Sequence, residues 1–154
     1  MEALTLRAAR ARYWDENGFG ADGGNSLRVV WVKLGPVVLP VPNTPGRRSA
    51  VRYHDLHHVL AGYDTRPGGE GEISAFEIGG GCAREWFAWG INLQGLLLGL
   101  FTRPRALLPA FTRGRHTRTL YGRRLDEALL DRTVQDVRTE LGLDAPLRRA
   151  SAPD

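Results

Sequence analysis

Most of the chain shows apolar residues at helical spacing, and one β-branched stretch near residue 30 stands apart from this pattern. Two short apolar runs, residues 29–32 and 37–39, are separated by Gly35 and Pro36. Such runs on either side of a glycine-proline turn predict a small hairpin or extended strap near residues 28–41, and the prolines of its second arm confine that arm to an edge. We therefore expect a mainly α, compact multi-helix domain that carries one small β element.

Four segments outside this hairpin carry the helical pattern. We expect an ordinary first helix within residues 1–18 and a short helix over 51–62 that ends at a glycine. Residues 86–101 are sixteen largely apolar positions, fewer than the ~20 that cross a bilayer, so we interpret them as a buried helix. Leucines and valines recur at three to five residues from 120 to 141 and predict one last helix, which covers the core or a partner subunit.

The length of 154 residues is that of one domain, large enough to fold around a core without disulfides. We assign residues 1–144 to a single helical domain and expect a disordered tail at 145–154. Cys82 is the one cysteine, which excludes a disulfide framework and a thiolate metal site and fits a reducing compartment. The first helix lacks the apolar core of a secretory signal, so we expect a cytoplasmic protein.

A dense group of ionisable side chains lies in the helix predicted over 51–62. At about 100° per residue, His54, Asp55 and His58 share an arc of about a quarter turn, whereas His57 lies roughly 60° outside it and is not expected to be a ligand. Beyond His58 and eleven intervening residues, Glu70 stands at the start of the next helix, after a turn rich in proline and glycine. This spacing allows His54, Asp55, His58 and Glu70 to hold one divalent metal ion.

The same residues also fit roles that need no metal. A helical histidine often packs or caps, and a carboxylate in a first turn complements the helix dipole. If a metal binds, imidazole nitrogen and carboxylate oxygen suit zinc best, with iron or manganese as alternatives. A metal-dependent hydrolase is a weaker alternative, because a metalloprotease needs glutamate after the first histidine and the shorter Asp55 stands there.

The motif resembles that of a known family. The run from Tyr53 to Gly62, then Thr65, Glu70 and the pair Phe76-Glu77, is similar to the His-Asp-x-x-His-x11-Glu pattern, followed by Phe-Glu, of the fourth coenzyme Q (ubiquinone) biosynthesis protein family. The resemblance is clear over residues 51–78 and fainter to about residue 125. The chain departs from the family at Asp64, where the family usually has proline before the threonine.

The resemblance implies a mostly helical metal protein of ubiquinone-type biosynthesis that binds a polyprenylated benzenoid precursor. It implies either an enzyme that removes the ring carboxyl at C1 with accompanying hydroxylation, or a non-catalytic lipid-binding scaffold of a biosynthetic complex. For the enzyme, we expect the metal to act as a Lewis acid on the ring carboxylate or adjacent phenol, with Glu77 and His57 as candidates for handling protons.

A lipid ligand requires an apolar wall, and residues 86–101 are the candidate for it. Trp86, Trp89, Leu93 and Leu97 are the side chains we expect to contact an isoprenoid tail, with small residues such as Gly90, Gly95 and Gly99 leaving room beside them. Plain core packing is the alternative.

Seven arginines and no acidic residue occur between Arg103 and Arg124, an excess larger than the net charge of +4 of the whole chain. We expect this segment, through Arg113 and Arg115, to contact an anionic membrane surface, which would make the protein peripheral to the inner membrane. A solvated loop is the alternative, and nucleic acid is not expected because no stacking platform or recognition motif is present. The remaining expected partners are a second copy of the chain or a biosynthetic complex.

Overall fold

A computed structural model describes residues 3–34 and 36–143, and the tail predicted at 145–154 lies outside the described residues. Its elements confirm the mainly α fold with one hairpin. They are, in chain order, α1 (Leu6–Asn17), β1 (Val29–Leu34), β2 (Val37–Pro42), α2 (Pro45–Ala61), α3 (Pro67–Gly80), α4 (Trp86–Thr102), α5 (Pro104–Arg115), α6 (Glu127–Leu130) and α7 (Val134–Leu141).

Helix α2 carries the motif and begins earlier than the sequence pattern predicted. Thr44 caps it, with its hydroxyl oxygen accepting the backbone N–H of Arg47 at 3.3 Å, and Pro45 occupies the first turn. The N–H groups of a first helical turn have no partner within the helix, so proline, which lacks an N–H, loses no hydrogen bond there. The residues that precede the helix predicted over 51–62 therefore form its beginning. The helix ends at Gly62, whose φ of 82° is the left-handed conformation of a glycine C-cap.

The predicted hairpin is present as an antiparallel pair whose register runs from Val29 opposite Pro42 to Leu34 opposite Val37. Its base is tied by Asn43, whose N–H donates to the carbonyl of Arg28 at 2.9 Å. Many of its apolar side chains remain exposed.

Helices α3 and α4 pack with their backbones nearly in contact. A Cβ atom placed on Gly71 would lie 2.4 Å from the Cα of Gly99, and one placed on Gly95 would lie 2.0 Å from the hydroxyl oxygen of Ser74. Side chains larger than hydrogen are therefore excluded along this seam. The consequence is that α3, which carries Glu70, is held at a short fixed distance from α4.

The helix predicted for residues 86–101 is present, but the prediction that it is buried is wrong. Helix α4 exists, but its buried residues are only Ala88, Asn92 and Gly99, and the Trp86 and Phe101 side chains are each 83% exposed. Helices α2, α3 and α5 pack against α4 from one side, and most of its outer side remains uncovered although it is apolar. No helix within the described ranges is long and apolar enough to cross a membrane.

The single last helix predicted from 120 to 141 is also wrong. The segment folds as two short helices, α6 and α7, because two residues inside the leucine pattern act as N-caps. The Asp126 carboxylate accepts the N–H of Leu129 at 3.0 Å, and the Thr133 hydroxyl accepts the N–H of Asp136 at 3.0 Å. The arginine-rich segment that we considered as a loop contributes a regular helix, α5.

Candidate metal centre

Three of the four predicted ligands converge where α2 meets the start of α3. His54 Nε2 lies 3.2 Å from His58 Nε2 and 3.3 Å from a carboxylate oxygen of Glu70, and His58 Nε2 lies 3.3 Å from the other Glu70 oxygen. When ligand atoms bind one tetrahedral ion at about 2.0–2.1 Å, they lie about 3.3 Å from each other, which agrees with these separations. His54, His58 and Glu70, called the metal group below, can therefore hold a metal ion.

The second nitrogen of each imidazole explains why the metal group suits a cation. His58 Nδ1 lies 3.0 Å from the carbonyl oxygen of Tyr63, and His54 Nδ1 lies 3.1 Å from a Glu77 carboxylate oxygen. Both partners are acceptors, so each Nδ1 carries the hydrogen and donates it. In the neutral rings, the Nε2 lone pairs then face each other and the Glu70 carboxylate, an arrangement that a bound cation stabilises.

Asp55, the fourth predicted ligand, does not belong to this converging group. Its Oδ2 accepts a hydrogen bond from Trp14 Nε1 at 2.8 Å, across 41 residues of sequence. Burial raises the pKa of Asp55, and the Trp14 hydrogen bond opposes that rise. A site of three protein ligands leaves a coordination position open, as in catalytic rather than structural zinc sites.

Glu77 is fully buried and accepts four hydrogen bonds. One oxygen lies 3.1 Å from His54 Nδ1 and 2.7 Å from His57 Nδ1, and the other accepts from Asn92 Nδ2 at 2.5 Å and from the Tyr121 hydroxyl at 2.7 Å. We call Glu77, His57, Asn92 and Tyr121 the core cluster. In this position Glu77 orients His54, and the structure gives no support to the proton-handling role we had predicted for it.

His57 has no ring nitrogen left for chemistry. Its Nδ1 donates to Glu77, and its Nε2 accepts the backbone N–H of Leu120 at 2.8 Å. The side chain is 1% exposed. We had also considered His57 for proton handling; the structure instead shows it linking α2 to the segment before α6.

The electrostatics of both clusters favour charged carboxylates. Burial alone would raise the pKa of Glu70 and Glu77, but hydrogen bonds and charges of the neighbouring histidines outweigh it, lowering the pKa of Glu70 to about 2 and that of Glu77 well below its usual value. Burial alone would lower the pKa of His54, yet Glu77 and Glu70 raise it well above 6.5. Without a metal, these two carboxylates therefore favour the protonated form of His54.

The metal group lies against a large apolar cavity. The cavity has a volume of about 880 Å³, and His54, Asp55 and Glu70 contribute to its lining. Its walls come mainly from the hairpin and from α4. Most of the lining side chains are aliphatic or aromatic, among them Val30, Trp31, Val41, Phe87, Ile91 and Leu98.

Only one of the four lipid-contact residues predicted on α4 lines this cavity. Trp86, with Gly90 and Gly95, does line the cavity. Leu93 and Leu97 are each 57% exposed on another face, and the Trp89 indole donates to the carbonyl of Ala83 at 3.3 Å. Because nearly every position of α4 is apolar, its pattern offers no basis for choosing the inward face.

The two predicted lipid-binding arginines differ. Arg113 is used internally: its Nη1 donates to the carbonyl of Ala61 at 2.8 Å, and its guanidinium lies over the rings of Tyr63 and Phe76. Arg115, at the end of α5, is exposed. Arg115 thus remains accessible to an anionic surface, and Arg113 does not.

Several residues around the metal group were not predicted from the sequence. The Tyr13 ring stacks on His58 with ring centres 5.5 Å apart, and Trp14, Asn92 and Tyr121 donate to the carboxylates described above. The carboxylates that accept these three hydrogen bonds lie 15 to 44 residues from their donors, so no local pattern marks the donors. Asn92 alone had a signal, as one of the few polar residues of a largely apolar helix.

Asp64, where the chain departs from the family pattern, supports the turn before α3. Its carboxylate accepts the N–H of Arg66 at 3.0 Å, and the hydroxyl of Thr65 donates to Asn17 at 2.6 Å. Glu70 therefore reaches both histidines without the family's proline. No family model, curated protein or solved structure matches this chain.

Proposed function

We propose that this protein is a metal-dependent protein of ubiquinone-type biosynthesis that binds a polyprenylated benzenoid precursor. The observation that carries the proposal is the position of the metal group beside a large apolar cavity. An apolar cavity of several hundred cubic ångströms with a few polar groups at one place suits a ligand with a hydrocarbon body and a polar head. The resemblance of the motif adds the ring and the prenyl tail to that description.

We further propose that the protein catalyses C1 decarboxylation of the ring with accompanying hydroxylation. The three-ligand arrangement supports this, because it leaves a coordination position for a substrate oxygen. A bound ion would supply Lewis acidity toward an oxygen of the ring's substituents. In the balanced reaction the ring carboxyl leaves as CO2, water supplies the new hydroxyl, and molecular oxygen accepts the two electrons and two protons and becomes hydrogen peroxide. Zinc has no redox change, so with zinc the two electrons must pass from the substrate directly to molecular oxygen, whereas iron or manganese could relay them.

In this proposal, different residues of the chain have different roles in binding the metal and the substrate. Glu77 and the Tyr63 carbonyl keep the Nε2 atoms of His54 and His58 directed at the metal position. The apolar walls of the cavity contact the ring and its tail. Asp55 is buried beside the cavity and accepts a hydrogen bond from Trp14. Because burial raises its pKa, whereas the pKa values of Glu70 and Glu77 are lowered, Asp55 is the carboxyl group best suited to donate a proton.

The test compares the metal-loaded protein with His58→Ala, using a short-chain 3-prenyl-4-hydroxybenzoate under air. We expect mass spectrometry to show loss of the carboxyl carbon and gain of one oxygen with the wild type only, and elemental analysis to show about one ion per chain. Binding of the substrate without turnover by the metal-loaded protein would contradict the enzyme and support the scaffold. Absence of substrate binding would contradict both.

We also propose that the outer side of α4 rests on an anionic membrane surface, from which a lipid ligand is collected. Leu97, Leu100 and Phe101 are exposed there, with Arg105 and Arg115 exposed on α5. No acidic residue occurs from 86 to 125, and basic side chains near an anionic surface contribute about 1 kcal/mol each.

Flotation with phosphatidylcholine vesicles, with and without phosphatidylglycerol, tests this contact. We expect binding only with the anionic lipid, weaker at high salt and weaker still for Phe101→Ser. The matched control is Leu4→Ser, which removes an exposed apolar side chain beside α1, outside the lining of the apolar cavity. Equal binding to both vesicle types would contradict the proposal.

A further inference from the structure

Arg47 brings a guanidinium group to the lining of the apolar cavity. Among the described residues that line the cavity, it is the only lysine or arginine. It is half-buried, and its Nη1 donates to the side-chain oxygen of Asn43 at 3.2 Å. Arg103, also half-buried, instead pairs with the Glu72 carboxylate at 3.0 Å. Arg47 forms no ion pair with a carboxylate of the described residues, although the buried Asp55 carboxylate acts on it electrostatically. Its guanidinium therefore remains available to pair with an anionic group in the cavity.

The position of Arg47 relative to the metal group follows from α2. Arg47, Val51 and His54 occupy positions i, i+4 and i+7, which lie on one face of a helix. Seven residues at 1.5 Å each place Arg47 about 10 Å from His54 along the axis. All three residues line the cavity.

Helix α4 gives an independent measure of the same separation. A Cβ atom on Gly46 would meet the Phe87 ring at 2.5 Å, so the start of α2 lies beside Phe87. A Cβ atom on Gly95 would lie 3.1 Å from the carbonyl oxygen of Glu70, so the metal group lies at that level. Eight residues of helix separate Phe87 from Gly95, or about 12 Å. Arg47 and the metal group therefore lie at two different places along one cavity.

We propose that Arg47 binds an anionic group of the cavity's ligand, a carboxylate or a phosphate, at a place distinct from the metal. This inference rests on the proposed function for the identity of the ligand, and it assigns the ligand an orientation. The ring carboxylate pairs with Arg47, and the phenol on the opposite side of the ring faces His54, His58 and Glu70.

The orientation has a consequence for selectivity. A guanidinium binds a carboxylate through two parallel hydrogen bonds, and such charge-assisted bonds are stronger in an apolar surrounding than in water. The protein should therefore discriminate between an acid and its neutral ester, even though the two have nearly the same shape. Discrimination by Arg47 does not require an ion at the metal group.

The test measures binding, by quenching of tryptophan fluorescence, for two sets of probes with and without zinc. The first set is a 3-alkyl-4-hydroxybenzoate and its methyl ester; the second is dodecanoate, dodecyl phosphate and dodecanol, which have no ring. The variants are Arg47→Gln and Arg47→Lys. The matched control is Arg48→Gln, which removes the same charge from a neighbouring residue that does not line the cavity.

We expect the wild type to bind the acid about 10- to 100-fold more tightly than the ester, as for a hydrogen-bonded charge. Arg47→Gln should remove this preference without changing zinc affinity or ester affinity, Arg47→Lys should restore part of it, and Arg48→Gln should keep it. Tighter binding of both dodecyl anions than of dodecanol would indicate a general anion subsite; a preference for only one of them would identify that anion as the group selected.

Two failures are distinguishable. If neither ring probe binds but the dodecyl anions show a preference that depends on Arg47, the proposed substrate class is wrong and the anion subsite stands. If Arg47→Gln leaves every anion preference unchanged while circular dichroism shows a native fold, or if the wild type has no such preference, the inference about Arg47 is overturned.

Discussion

Helix α2 presents histidines to two carboxylates, and the two arrangements differ in what they leave unsatisfied. In the core cluster, His57 and Glu77 have all their hydrogen-bonding atoms paired with protein groups. In the metal group, each imidazole uses one nitrogen in the protein and directs the other at the same point. The same residue types therefore build a rigid support on one side of the helix and a cation site on the other. The difference lies in the partner of the second nitrogen.

The sharpest way to separate the two sides is to remove one histidine from each. We expect His58→Ala to weaken zinc binding about 1,000-fold, because a binding free energy of about 10–16 kcal/mol is shared by few ligands. His57→Ala should keep one ion per chain, with affinity lowered by about tenfold at most. It should instead lower the free energy of unfolding by about 2–4 kcal/mol, since the Leu120 N–H and Glu77 lose a partner.

Competition with a chelating dye and urea unfolding in EDTA measure these two effects. The comparison fails if both variants lose metal equally, or if His58→Ala is the more destabilised one without metal.

A second experiment removes the charge that both sides share. Glu77→Gln keeps the size of the side chain but replaces two acceptor oxygens by one oxygen and an NH₂ group that faces donors. We expect the free energy of unfolding to fall by about 3 kcal/mol, because buried donors lose a charged partner. Zinc affinity should also fall, since His54 is no longer oriented. The control is Glu127→Gln, which changes an exposed carboxylate paired with Arg7. A Glu77→Gln protein as stable as this control would contradict the role of Glu77 as the shared acceptor of both clusters.

Cys82 reports whether the core side stays closed. Its thiol is fully buried, and burial raises its pKa to about 11. At pH 8 the thiolate fraction should be about 100-fold smaller than for the unfolded chain, so alkylation by iodoacetamide should be slower by at least that factor. Rates in native buffer and in urea, followed by mass spectrometry, give the ratio. A native rate within about threefold of the urea rate would show that the core cluster opens readily.

The pH dependence distinguishes the metal-free from the metal-bound protein. The raised pKa of His54 gives the metal-free fold a stabilisation that is complete below pH 6.5 and is lost as the pH rises through the folded pKa. The lowered pKa values of Glu70 and Glu77 give a stabilisation that is complete above pH 4.5 and is lost as the pH falls through their folded pKa values. Metal-free stability should therefore be greatest between pH 4.5 and 6.5.

Zinc must displace the proton of His54, so its affinity should fall about tenfold per pH unit below the folded pKa. Calorimetry in two buffers of different ionisation enthalpy measures the released proton. Zinc affinity that is constant from pH 8 to 6 would contradict protonation of His54.

The metal group could be predicted from the sequence because its geometry depends on residues close together in the chain. Helical periodicity places His54 and His58 on one face, and a first-turn position places Glu70 beside them. Asp55 shares that face, yet the Trp14 indole of α1 takes its carboxylate. Such a pairing depends on how α1 packs, which no spacing within the motif expresses.

The cavity was harder to predict for a different reason. Helix α4 is apolar around its whole circumference, so the residues that face inward carry no signal that separates them from Leu93 and Leu97. Arg47 was missed because the predicted helix begins only at residue 51. Recognition of Thr44 and Pro45 as a helix start would have placed Arg47 on the face of the histidines.

The glycine seam between α3 and α4 makes the cavity a suitable scaffold for redesign. Backbone contact at Gly71 and Gly99 sets the spacing of the two helices, independently of the size of the side chains that line the cavity. Ile91 or Leu98 can therefore be shortened to admit bulkier ligands, or enlarged to reject them, while Glu70 keeps its distance to the two histidines. Ligand range and ion binding should be separately adjustable in this fold.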